Sequence, residues 1–200
     1  MAEIMMGFAQ NNGTAGINYL PDVTLFNEPS RLALVDRAGA STGVEFSLTN
    51  ARRPNGNDSD YTSGYSFPDF PDEVVAPYFY TDTDVGYEHE YTFWNMPAGT
   101  HELQLLSRRM AGGSGRVSHF GFGTDSGTVA ADSNNTVILS LFYTATAGED
   151  VIFTWYAAQF DFAYLNAARL LLAEPSVNTP INPSVTNLLA TSARLNWEQG

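Results

Sequence analysis

Apolar side chains recur at every second position along much of this chain, and that period leaves room for little except extended backbone packed on one face. In "HEYTFWNMPAGTHELQLLSRRM", Tyr91 and Phe93 alternate with Glu90 and Thr92. After the turn "NMPAGT", His101, Leu103 and Leu105 alternate with Glu102 and Gln104. Pro97 fixes φ in that turn and Gly99 can take φ > 0, so the segment reads as a strand pair. "NTVILSLFYT", "DVIFTWYA", "LALVD" (32–36), "GVEFSLTN" (43–50), "EIMMGFA" (3–9) and "RVSHFGFG" (116–123) are further strand candidates. Within "DVIFTWYA", alternation sends Trp155 inward and Tyr156 outward.

Eight or more short strands separated by Gly, Pro, Asn and Asp spell an all-β antiparallel sandwich. "FAYLNAARLLLAE" (162–174) has the propensity of a helix, with Leu165, Ala168 and Leu172 at helical spacing. Its surroundings are extended, and it is read as a closing strand. The stretch 52–77, "RRPNGNDSDYTSGYSFPDFPDEVVAP", has no period and is long for a loop. "PSVNTPINPS" reads as a linker, followed by strand-like pieces at 185–189 and 193–197.

Charge narrows the partners. The chain carries 22 acids against 9 bases, a net charge of −13. That field repels phosphate backbones, so nucleic acid is a poor partner, and anionic membrane surfaces are disfavoured too. No run approaches the roughly 18 apolar residues of a membrane span, and membrane insertion is not expected. There is no cysteine, so disulfides and thiolate chemistry are excluded. The start "MAEIMMGFAQNNG" lacks the basic head and apolar run of a secretory signal.

Little here resembles a reacting centre. "GTDSGT" (123–128) places Asp125 and Ser126 near His119 in sequence, but a serine nucleophile needs a strained elbow, a base and an oxyanion hole. A polar β-turn is the simpler reading. "GFGTDSG" has one residue too many for G-x-G-x-x-G and no helix after it. His89, His101 and His119 lack the tight spacing of metal ligands, and His89 with His101 reads as a cross-strand surface pair. No cofactor is expected: Asn55, Asn57, Asp58 and Asp60 in "NGNDSD", with Asp82 and Asp84 in "TDTDVG", offer the oxygen donors a structural calcium takes, but a solvated Asp-rich turn is the simpler reading. Arg108, Arg109 and Arg116 form the concentrated positive charge, expected to pair with carboxylates.

Aromatic side chains offer a binding surface. Sugars are held by ring faces and by planar amide or carboxylate groups. Tyr61, Tyr65, Phe67 and Phe70 stand in the aperiodic stretch among Asp and Asn, followed by Tyr78 and Tyr80. "TWYAAQFDF" adds Tyr156, Phe160 and Phe162. Tyr61, Tyr65, Phe67, Phe70, Tyr78, Tyr80 and Tyr156 are the residues expected to meet either a glycan or another subunit, since Tyr and Phe favour both.

Two segments resemble known families. "PINPSVTNLLATSARLNWEQG" resembles the opening of a fibronectin type III domain, with Pro183, Leu188, Thr191, Ala193, Leu195 and Trp197 where that pattern places them. Residues 3–174 resemble a galactose-binding-like jelly roll of the carbohydrate-binding-module type. The likeness rests on "EIMMGFA", "LALVDRAGASTGVEFSLTN", "YTFWNMPAGTHELQLLSRRM", "SNNTVILSLFYTATAGEDVIFTW" and "FAYLNAARLLLAE"; His101 departs from it where an aromatic is expected. The resemblance implies a jelly-roll module over 1–174, a linker over 175–183 and an incomplete fibronectin type III-like unit over 184–200. The resulting expectation is a non-enzymatic structural or adhesion protein of a tailed-phage virion surface, a head decoration, fibre or tail component. It would assemble with other virion or cell-surface subunits and engage host glycans. The alternative is the carbohydrate-binding module of a secreted bacterial enzyme or adhesin.

Overall fold

In the computed structural model the described residues are 2–8, 15–19, 31–49, 55–57, 67, 69–75, 78–81, 88–108, 115–131, 137–159, 162–174, 181–189 and 192–198. The strands are β1 (Glu3–Gly7), β2 (Ile17–Tyr19), β3 (Leu32–Val35), β4 (Ser41–Leu48), β5 (Asn55–Asn57), β6 (Tyr78–Thr81), β7 (His89–Met96) and β8 (Gly99–Leu106). They continue with β9 (Val117–Phe122), β10 (Asp125–Ala130), β11 (Ile138–Ala145), β12 (Glu149–Gln159), β13 (Ala163–Leu165), β14 (Ala167–Leu171), β15 (Ile181–Leu189) and β16 (Ser192–Glu198). The single helical turn among the described residues is α1 (Asp72–Val75).

Two large sheets carry the fold. Sheet A runs β11-β8-β14-β1-β2 and sheet B runs β10-β9-β12-β7-β4-β3. All these pairings are antiparallel except β1 with β2. The chain passes from B to A between β7 and β8, back at β9, to A again at β11 and back at β12, the alternation of a jelly-roll sandwich. The all-β sandwich expected from the alternation is therefore what forms. Residues 162–174 are extended, as β13 and β14.

The inner faces meet in one core. Sheet B contributes Phe46, Tyr91, Phe93, Phe120, Phe122, Val151, Phe153 and Trp155; sheet A contributes Ile4, Met6, Leu103, Leu105, Leu141, Ala168 and Leu170. Cross-strand register fixes the contacts: Phe46 lies opposite Phe93, and Phe153 lies opposite both Tyr91 and Phe122. Each such ring buries an apolar surface that stabilises the fold by about 2–3 kcal/mol. Trp155 is inward and Tyr156 half-buried on the other face, as alternation requires.

A second apolar layer covers the outer face of sheet A. Met5, Leu106 and Ala167 project outward there and are buried by Phe67, Phe70, Val74 and Val75, together with Ile17 and Tyr19. The described part of the 52–77 stretch is therefore a docked segment. Phe67 is 6% exposed and Phe70 2% exposed. The expectation that these two rings meet a glycan or another subunit is corrected: the uncovered apolar positions of β1, β8 and β14 claim them. The helical turn α1 is held by Val74 N–H donating to Pro71 O at 3.0 Å, and Asn166 Nδ2 donates to Val75 O at 2.9 Å.

Two smaller sheets also occur among the described residues: β13-β6-β5, and the antiparallel pair β15-β16. "GTDSGT" does contain a tight turn, at Gly123-Thr124, but the hairpin it closes includes an unexpected strand, β10. Gly123 has φ +59°, and a Cβ there would lie 2.2 Å from the Tyr143 ring, so turn and neighbour both require glycine.

Candidate functional site

Asp125, Ser126 and His119 do not converge. Ser126 lies opposite Gly121 and His119 opposite Thr128, so both face outward from sheet B but are diagonal neighbours. Asp125 precedes Ser126 and so points to the other side of the strand. Its carboxylate accepts from Ser126 N–H at 2.9 Å and from Phe142 N–H at 2.8 Å, which closes the turn and ties down β11. The arrangement is structural. His119 instead stacks on Tyr156, ring centroids 4.4 Å apart and planes 22° apart.

Burial pushes the His119 imidazole below its usual value near 6.5, partly opposed by the negative charge of Glu88. The folded state therefore disfavours the imidazolium. His119 contributes stability that is present above the unfolded value and is lost as pH falls through the depressed folded one. Thermal midpoints measured against pH should fall more steeply below about 6.5 for the native chain than for His119→Gln. Superimposable profiles would remove this role.

The other two histidines are buried and separated. His89 lies in β7 of sheet B, stacked on Trp155 at 4.8 Å, while His101 lies in β8 of sheet A. The expected surface pair is thus corrected. His101 Nδ1 accepts from Ala173 N–H at 3.0 Å, which leaves Nε2 to donate to Pro97 O at 2.8 Å. It pins the β7–β8 turn to the end of the β14 segment. Arg108 is also buried, its backbone N–H donating to Asn166 Oδ1 at 2.7 Å, so it is no part of a surface basic patch.

Tyr61 and Tyr65 lie outside the described residues, as do Asp58, Asp60 and Arg109. Asn55 and Asn57 occur in β5, opposite Tyr80 and Tyr78 respectively. Among the described residues no group of three His, Cys, Asp or Glu side chains is placed to hold a metal ion.

Aromatic side chains do gather at Tyr80. In the β13–β6 pair Tyr164 lies opposite Tyr80, and Phe162, two residues earlier, shares their face. The centroids of Tyr80, Phe162 and Tyr164 lie 6.3, 6.4 and 6.5 Å from one another, with interplanar angles of 44°, 26° and 26°. Tyr164 is buried, whereas Tyr80 and Phe162 are half-buried. The Arg116 guanidinium stands 4.7 Å from the Phe162 centroid and 5.7 Å from that of Tyr164. Its Nη1 donates to the Tyr164 hydroxyl at 2.8 Å. Both separations lie within cation–π range.

The cluster has a rigid base. Tyr164 N–H donates to Ser118 Oγ at 2.9 Å and Tyr164 O accepts from Ser107 Oγ at 2.7 Å, all three residues buried. β13 is thereby stitched to the end of β8 and to β9, beside Arg116. Sequence reasoning named Tyr80 as a contact and Phe162 as an available ring, but not Tyr164 as their neighbour. The period-2 series Phe160, Phe162, Tyr164 held that signal. The cluster thus combines two half-buried rings and one guanidinium on strands joined by buried hydrogen bonds.

No protein-family model matches the chain, and no curated protein matches it. Several solved structures are similar in fold. One is a plant peptide RALF23 complex with FER and LLG2: 12% identity, TM-score 0.48, covering 87% of this chain and 40% of that one. A second is the CBM22-1 xylan-binding domain of Xyn10C from Paenibacillus barcinonensis: 12% identity, TM-score 0.38, covering 68% and 85%. A third is TmCBM61 in complex with β-1,4-galactotriose: 10% identity, TM-score 0.36, covering 66% and 90%. The chain spans 14% of the similar GH115 glucuronidase BtGH115A and 42% of the ANX2 ectodomain of Arabidopsis thaliana. The chain is an all-β sandwich on the strength of its own strand pairings.

Proposed function

We propose that this chain is a non-catalytic carbohydrate-recognition module, with Tyr80, Phe162 and Arg116 at its contact surface. The observation that carries the reading is the half-buried ring pair with a guanidinium beside it, on strands held by buried hydrogen bonds. Ring faces stack on the C–H surfaces of a pyranose, and a fixed guanidinium donates to its hydroxyls. The rings are already ordered, so little conformational entropy is lost on binding. Such a module fits the secreted-module alternative, in which glycan recognition alone is the function. Residues 181–198 we read as the first two strands of a fibronectin type III unit, a reading supported by the antiparallel β15–β16 pair.

The test is a glycan array followed by calorimetry with the strongest binder. Tyr80→Ala and Phe162→Ala should each weaken binding about three- to tenfold, the size of one ring contact. Arg116→Ala should weaken it at least as much, since it also frees Tyr164. Circular dichroism spectra matching the native protein keep the comparison clean. An array without binders, or an affinity indifferent to all three substitutions, would overturn the reading.

A further inference from the structure

A second surface, on the opposite sheet from His119 and apart from the aromatic cluster, has the make-up of a small-ligand site. Glu3, Arg37, Asp69, Phe70, Pro71 and Arg169 line an open cleft of about 300 Å³. Three of its polar side chains, Glu3, Asp69 and Arg169, are paired with one another before any ligand arrives. Glu3 and Arg169 share the outer face of sheet A, where Arg169 Nη2 meets Glu3 Oε2 at 3.1 Å. Arg169 Nη1 meets Asp69 Oδ1 at 3.1 Å and donates to Gln104 Oε1 at 3.2 Å. One guanidinium thus fixes two carboxylates on either side of it.

Arg37 is different. Its backbone is placed tightly: the N–H donates to Glu3 O at 2.9 Å, and Asp36 Oδ1 accepts from Ala38 and Ala40 in the following turn. Gly16, at φ +75°, packs so closely that a Cβ there would lie 2.3 Å from the Arg37 carbonyl oxygen. Yet the Arg37 side chain is exposed at the cleft and pairs with no described residue. Arg37 thus adds a second arginine to the lining, alongside two carboxylates that Arg169 pairs.

We propose that this cleft binds a single neutral pyranose through two adjacent hydroxyls. Each hydroxyl both donates and accepts, so a vicinal pair can donate to Asp69 and Glu3 while accepting from Arg37. The two arginines and two acids cancel formally, so the cleft lining carries no net charge to draw in a charged ligand. The net charge of −13 works against polyanions. A volume at the low end of small-ligand sites suits one sugar residue rather than a chain. Pro71, half-buried at the wall, supplies an apolar surface for the ring. This inference stands whether or not the aromatic cluster binds glycan.

The experiment is amide-resolved NMR of the full chain, titrated with methyl glycopyranosides of glucose, galactose, mannose and xylose, and separately with glucuronate. Saturable shifts at Glu3, Arg37 and Arg169 are expected with at least one neutral glycoside. Arg37→Ala and Asp69→Asn should each weaken that binding about tenfold, as loss of a hydrogen bond to a charged group does. Tyr80→Ala should leave it unchanged, and so should raising the salt concentration. Both cleft positions are exposed, so both variants should keep the native thermal midpoint. Shifts that saturate only with glucuronate would identify an anion site and overturn the proposal. So would shifts indifferent to Arg37→Ala, or none at the cleft under any neutral glycoside.

Discussion

Phe153→Ala is expected to destabilise the fold by about 3–5 kcal/mol, the range for emptying a ring-sized site in a packed core. Phe153 lies in the middle of β12 and is 1% exposed, with ring centroids of Tyr91, Phe93 and Phe120 at 6.0, 6.3 and 6.2 Å. All four rings sit on sheet B, whose backbone is hydrogen-bonded on both sides of β12, so the walls cannot collapse into the void. For a domain of this size the thermal midpoint should drop by about 6–20 °C. Phe142→Ala is the control: this ring is 52% exposed on edge strand β11 and should change stability by less than about 0.5 kcal/mol. Equal midpoints for the two variants would refute the account of the core.

Asn166→Leu should cost about 2–5 kcal/mol although it adds apolar volume to a buried site. Asn166 is 0% exposed; its Oδ1 accepts from Arg108 N–H and its Nδ2 donates to Val75 O. Leucine leaves both backbone groups buried without these partners, at about 1–3 kcal/mol each. The loss has a location. Because Val75 ends α1, hydrogen exchange in residues 70–75 should accelerate more than in β12. A variant as stable as the native chain, with exchange unchanged there, would show that Asn166 does not hold the segment to the sheet.

Strands with one buried face were legible because their side chains alternate, as in β7, β8 and β12. β10 was not, since Ser126, Gly127 and Thr128 put only small or polar groups on either face and Val129 alone is buried. The helical propensity of 162–174 loses to tertiary structure at Asn166, whose backbone and side chain join β13 and β14 to their neighbours. Phe67 and Phe70 were misplaced because their neighbours are Pro, Asp and Ser, a surface composition. The correcting signal lay elsewhere, in "EIMMG". Ile4, Met5 and Met6 are consecutive apolar residues, and a strand apolar on both faces is buried on both. Something had to cover Met5. The Arg116–Tyr164 contact spans 48 positions and leaves no local trace, so the cation beside the aromatic cluster could not be read in advance.

The position of β14 has a consequence for biosynthesis. It lies between β8 and β1 in sheet A, and the bond from Arg169 to Glu3 joins residues 166 apart. Until the ribosome has released residues 167–171, β1 waits with an open edge, and so does β8. Sheet B has all its strands some ten residues sooner. A nascent chain arrested there would expose two adhesive edges together with half a core, and any chaperone assisting this protein would meet it in that interval.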